Sequence, residues 1–195
     1  MVTPTIAYYM KDGGLIKIVV ALLMLMFAQT AHSAGKYEHL KYWVGRYPSK
    51  GPTRENREFL KLPEIRPILL QLLPGREYRR LTKTLAVETP IEMIDDYLVV
   101  RRCRPHCCPC ENALLLVGLH EDTVLVLVYD SSRGKDEESA TKCFSTGRQL
   151  FELSDNLKAR ALEMHIPRMT ADDKLLPKSP WINRVKCSTP NKPNQ

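Results

Sequence analysis

The sequence predicts an α+β fold: a five-stranded antiparallel sheet with N-terminal helices and a C-terminal helix packed on it. Three observations carry this. Apolar residues recur at helical spacing as far as Leu85, give way to strand-like runs from Val87 to Ser145, and return to helical spacing from Leu150. The runs Tyr97–Val100, Ala113–Val117 and Thr123–Tyr129 are short, uncapped and bounded by turn residues, as strands are. The links between them are too short for crossover helices, which favours antiparallel neighbours. Helices, then strands, then a helix place the helices on one face of a meander.

The 195 residues suit one domain with extensions, and 44% hydrophobic content is enough for a core. The first 34 residues stand apart. Lys11 and Lys17 precede the apolar run 18–27, and small residues follow from Ala28 to Ala34. This order is that of a signal peptide, cleaved after Ser33 or Ala34. Met10 is an alternative start. The apolar run is short for a membrane anchor, so no membrane span is expected after cleavage. No cysteine stands at the cleavage site, which disfavours a lipid-modified N-terminus. The mature protein is therefore expected in the periplasm or the medium.

Taking the elements in order, residues 35–53 read as an irregular lead-in, with Trp43 and Tyr47 docking it or forming an aromatic patch. Three short helices follow. Thr53 caps the first, which holds Phe59 and Leu60. Pro63 and Pro74 suit the first turns of the other two. The third carries Tyr78, Leu81 and Leu85 on one face, and Arg76, Arg79, Arg80 and Lys83 on the others. The strands are expected around Val87–Ile94, Tyr97–Arg102, Ala113–Leu119, Thr123–Tyr129 and Ser139–Ser145, with turns at Asp95-Asp96 and His120-Glu121-Asp122. Leu150–Met164 reads as the last helix, with Ser154 a cap inside it. The single domain spans 35–166, and residues 167–195 form a Pro-rich, loose tail in which Trp181-Ile182 and Cys187 are the only anchors.

The chemistry concentrates in Arg101-Arg102-Cys103-Arg104-Pro105-His106-Cys107-Cys108-Pro109-Cys110, a loop between two strands that holds four of the six cysteines. In an exported chain, clustered cysteines are usually disulfides. Cys107 to Cys110 match C-x-P-C, but thiol catalysis needs the first thiolate at a helix N-terminus, and a strand follows here. Cys103, His106, Cys107, Cys108 and Cys110 are metal-ligand types, yet a second separated pair is missing. An envelope thiol-disulfide or metal-binding protein using this cluster is the alternative reading. No nucleophile motif or phosphate loop occurs, so no enzyme is expected and no cofactor.

Recognition remains. A disulfide between Cys103 and Cys108 would close a small ring, worth only about 2 kcal/mol by chain entropy. Its use is to preorganise a protruding tip, so that binding loses little entropy. An imidazolium at that tip has two N–H donors, suited to a cleft lined by two carboxylates. The net charge of +7, or +6 once Lys11, Asp12 and Lys17 are removed, is met equally well by a solvated surface, and no nucleic-acid partner is expected.

Cys-Arg-Pro-His-Cys-Cys resembles the Cys-Lys-Pro-His-x-Cys loop of the inhibitors of vertebrate lysozyme, the Ivy family. The order of signal peptide, helices, strands, loop and terminal helix is similar too. The resemblance implies a periplasmic α+β domain whose disulfide-closed loop inserts its histidine between the catalytic carboxylates of a C-type lysozyme. It carries His106 over as the plug, Cys103 and Cys108 as the staple, and Arg104 in place of the family's lysine. Pro105, Arg101 and Arg102 complete the expected partner-binding set. Cys107 and Cys110 depart from the pattern and admit Cys103–Cys107 or Cys103–Cys110 instead. A homodimer is left open.

Overall fold

The computed structural model describes residues 35–50, 58–134, 140–163 and 180–190. The signal-peptide stretch, the Thr53 cap, Met164 and His165 lie outside them. Strands β1 (Val87–Glu88), β2 (Glu92–Ile94), β3 (Tyr97–Cys103), β4 (Glu111–Gly118), β5 (Val124–Asp130), β6 (Thr141–Ser145) and β7 (Cys187–Ser188) form one seven-stranded sheet. Its order is β1-β3-β4-β5-β6-β7, with β2 also on β3. The β3–β6 portion is the antiparallel meander expected from the apolar runs.

The sheet departs from expectation in size and direction. The first predicted strand divides into β1 and β2, which pair with opposite ends of β3. The last strand, β7, joins β6 in parallel, with Cys143 opposite Cys187. The sheet is therefore mixed and larger than five strands. Within the stretch read as a loose tail, Ile182, Val185 and Cys187 are buried, and the Cys143–Cys187 disulfide fastens them to β6.

Both faces of the sheet are covered, not one. On β4, Ala113, Leu115 and Val117 face one cluster, while Leu114 and Leu116 face the other. Two-sided burial is why these strands read as continuous apolar runs and not as alternation. On the first face pack Tyr37, with Leu40 and Trp43 of the 3-10 turn that follows it (Glu38–Trp43), Phe59 and Leu60, and the helix α1 (Arg66–Leu72). Trp43 is fully buried edge-on to Phe59, with ring centroids 5.3 Å apart, whereas Tyr47 stays 44% exposed. On the second face pack Leu150, Leu153, and Leu157 and Ala161 of α3 (Asp155–Leu162), with Ile182 and Val185.

The helices are shorter than the periodicity suggests. Phe59–Lys61 is one 3-10 turn. Pro74 precedes α2 (Gly75–Arg79), which continues as a π-turn over Arg80–Thr84. The expected helix from Leu150 breaks at Leu153-Ser154. Ser154 is extended and caps α3, accepting from Leu157 N at 3.3 Å. The turn between β2 and β3 fixes that cap. Asp95 and Asp96 both have positive φ, 47° and 63°, as a two-residue type I′ hairpin requires. The Asp95 carboxylate then accepts from Ser154 Oγ at 2.6 Å.

Candidate functional site

The cysteine loop joins β3 to β4 as the tip of a hairpin. Its base is closed by Arg104 N–H donating to Glu111 O at 2.9 Å. Cys107 N–H donates to Arg104 O at 3.1 Å, closing a four-residue turn with Pro105 second and His106 third. His106 has φ 64°. Proline at the second position with positive φ at the third is the type II pattern, where glycine or asparagine is usual. Histidine tolerates this left-handed region better than most residues, at a cost of about 1–2 kcal/mol. The turn leaves Arg104, Pro105 and His106 exposed at the tip.

Two disulfides tie the loop. Cys103 is bonded to Cys108 and Cys107 to Cys110. With Cys143–Cys187, no cysteine is free. That leaves no thiolate for ligation, and among the described residues no group of three or more ligand-type side chains could hold a metal. Asn112 Nδ2 donates to Cys108 O at 3.0 Å, and Ser131 N to Cys110 O at 2.9 Å, so the second limb is tied to β4 and to the end of β5.

The three arginines expected around the tip are not brought together. Strand alternation sends Arg101 and Arg102 to opposite faces of β3. Arg102 is a fold residue: Nη2 lies 2.8 Å from Glu88 Oε1, and Nη1 donates to Leu81 O at 3.1 Å. Burial pushes its guanidinium below its ordinary pKa, against the pull of Glu88 and Glu58. Arg101 approaches Glu163 at 3.9 Å and lines a cleft of about 280 Å³ beside the loop, with Val87, Thr89 and Pro109. Only Arg104 joins His106 at the tip; its side chain is 60% exposed, with Nη1 3.5 Å from Glu111 Oε2.

Beneath the tip lies a buried charged cluster that residue patterning misses. Glu77, Glu111 and Asp130 are 2%, 6% and 6% exposed. Arg80, placed by sequence on a helix face away from Tyr78, Leu81 and Leu85, turns inward among them. Its Nε meets Glu111 Oε1, and Nη2 donates to Asp130 Oδ2 at 2.6 Å. Arg133 bridges Glu77 and Asp130, at 2.7 Å each. Burial pushes the Asp130 carboxyl up, but hydrogen bonds from Ser132 and Arg80 outweigh it and hold it at about 2. Glu77 is likewise lowered: burial opposes, and Arg133, Lys142 and Arg80 prevail. The one sequence signal for this cluster is a charged residue at each β-strand end, Glu111 and Asp130, where an apolar run begins or stops.

These features define a class: an α+β domain, buried on both sheet faces, that presents a doubly stapled hairpin tip. The model of the family described as inhibitor of vertebrate lysozyme (Ivy) matches residues 69–145. The chain thus resembles that family from within α1 through β6, with the cysteine loop inside the match. No curated protein and no solved structure matches the chain.

Proposed function

We propose that the chain is an exported inhibitor that plugs the active-site cleft of a C-type lysozyme with the loop presenting His106. The observation that carries this is His106 itself, exposed in a left-handed turn at the tip of a loop closed by two disulfides. The resemblance over residues 69–145 supplies the target class. Glycosidases flank the scissile bond with two carboxyl groups. An imidazolium can donate to both, and Arg104 adds a second cation at the mouth. The stapled loop loses little entropy on insertion. No catalysis is assigned to the chain.

In this reading residues 1–34 are a signal peptide removed on export, the domain that begins at residue 35 and includes the packed strand β7 is inhibitory, and the target meets it outside the cytoplasm. The expected mature N-terminus is residue 34 or 35, measured by mass spectrometry of exported protein. An intact residue 1 there refutes export by cleavage.

The test is a lysozyme-activity assay with the mature protein and its His106→Ala variant. The substitution leaves the enzyme's carboxylates buried without their partner, so affinity drops by roughly 2–5 kcal/mol while the fold survives. His120→Ala serves as control; His120 sits 3.3 Å from Glu38, away from the tip, and its loss leaves inhibition unchanged. Equal inhibition by parent and His106→Ala overturns the plug.

A further inference from the structure

Glu111 touches both residues that bracket Pro105 and His106. Its carbonyl oxygen accepts from Arg104 N at 2.9 Å, and its own N–H donates to Cys107 O at 3.2 Å. Its Oε2 stands 3.5 Å from Arg104 Nη1. The carboxylate is 7% exposed, and its other oxygen takes Arg80 Nε. Arg80 cannot drift, because Asp130 holds Nη2 at 2.6 Å and Glu77 stands 3.5 Å from Nη1.

Stability alone does not account for this arrangement. The desolvation cost of buried ion pairs can exceed their Coulombic gain, and apolar residues often fill such sites as well. A guanidinium held by several carboxylates instead gives direction, since its donors have a fixed fork geometry. The disulfides supply part of the order: Cys107–Cys110 ties the loop to itself, and Cys103–Cys108 ties it to the end of β3. Asn112 and Ser131 hold the Cys108–Cys110 limb. Among the described residues, the Arg104–Cys107 limb, which carries His106, reaches the buried cluster through Glu111.

We infer that Glu111, anchored by Arg80, is the positioning residue of the tip and sets the pose in which His106 is presented. The inference rests on reading the loop as the binding tip, but its first test does not use lysozyme. Glu111→Gln keeps size and backbone while removing the charge that holds Arg80 and Arg104. In the full oxidised chain, amide hydrogen exchange at Cys107 and at Glu111→Gln's own position quickens about 10-fold, while amides in the centres of β4 and β5 keep their protection. Unchanged exchange at Cys107 overturns the inference.

The second test is a double-mutant cycle against a vertebrate C-type lysozyme. Glu111→Gln weakens binding about 10-fold in the parent and by less than about 2-fold in the His106→Ala background, because the two residues act through one contact. Equal losses in both backgrounds overturn the positioning role. If the parent binds no lysozyme, the function proposed above fails, and the exchange measurement alone decides the role of Glu111. Glu111→Ala, which also removes bulk, shows the same exchange change if it folds; if it does not, Glu111→Gln carries the decision.

Discussion

Arg101, Arg102 and Arg104 look like one basic stretch in the sequence, and the backbone gives them three different tasks. Arg102 is 10% exposed against a 7% exposed Glu88. Removing one partner of a buried pair leaves the other charge uncompensated. Arg102→Ala therefore lowers stability by roughly 3–5 kcal/mol, read as an earlier urea midpoint. Arg104, at 60% exposure, behaves oppositely. Arg104→Ala changes stability by less than about 0.5 kcal/mol; on the proposed function it instead slows association with the target lysozyme and flattens its salt dependence. Equal midpoints for Arg102→Ala and the parent sink the assignment of Arg102 to the fold. The sequence shows which residue types meet at the tip, because proline, histidine and clustered cysteines are informative in themselves. It does not show that Arg102 turns inward, since its partners Glu88 and Leu81 are set by the pairing of β1 with β3 and by the π-turn. The positive φ of His106 is equally hidden, because that position usually carries glycine or asparagine.

At the scale of elements, long apolar runs are legible and short ones are not. β3, β4 and β5 announce themselves because Tyr97–Val100, Ala113–Val117 and Val124–Val128 alternate between the two core clusters, while β6 adds only Cys143 and Phe144. β7 is two residues long and lies in a Pro-, Lys- and Asn-rich stretch, so local pattern marks Ile182 and Cys187 as anchors but not as part of a strand. A disulfide decides its place. Cys143 and Cys187 are 44 residues apart, so their bridge removes about 4 kcal/mol of denatured-chain freedom in the chain-entropy account. The double variant Cys143→Ser, Cys187→Ser is expected to lose stability of that order and to retain the tip, so the urea midpoint falls while, on the proposed function, inhibition by the folded protein persists. Burial also orders the chemistry of reduction. Cys143 and Cys187 are 3% and 7% exposed, whereas the four loop cysteines are half-buried at the surface. Thiolate attack needs access to sulfur. Alkylation mapping during titration with a dithiol should therefore find thiols at Cys103, Cys107, Cys108 and Cys110 before any at Cys143 or Cys187. The reverse order contradicts the packing described for β6 and β7.

For the whole molecule, the charged cluster under the tip links the N-terminal helices to the ends of β4 and β5, so its titration is felt as global stability. Asp130 falls from an ordinary value of 3.8 to about 2 on folding, because Ser132 and Arg80 outweigh burial. Glu77 moves in the same direction. A carboxyl lowered by folding stabilises the native state above its unfolded value, and that contribution disappears as pH falls through the folded value. The acid loss attributable to Asp130 thus lies between about pH 4 and pH 2, and is on the order of 2 kcal/mol. The alkaline side has the opposite sign. Burial, then the Glu121 carboxylate, raises Tyr97 from 10.0 to about 12. Its contribution is present below pH 10 and fades as pH rises toward 12. Urea midpoints measured across pH should therefore be insensitive to these two groups between about pH 4 and pH 10 and fall at both ends. Asp130→Asn separates the acid limb. It lowers stability at neutral pH by removing the charge and one of the two oxygens that accept from Arg80 and Ser132, and it shrinks the further loss between pH 4 and pH 2. Tyr97→Phe does the same for the alkaline limb. An acid limb of equal depth in parent and Asp130→Asn places the titrating groups elsewhere and removes Asp130 from the account.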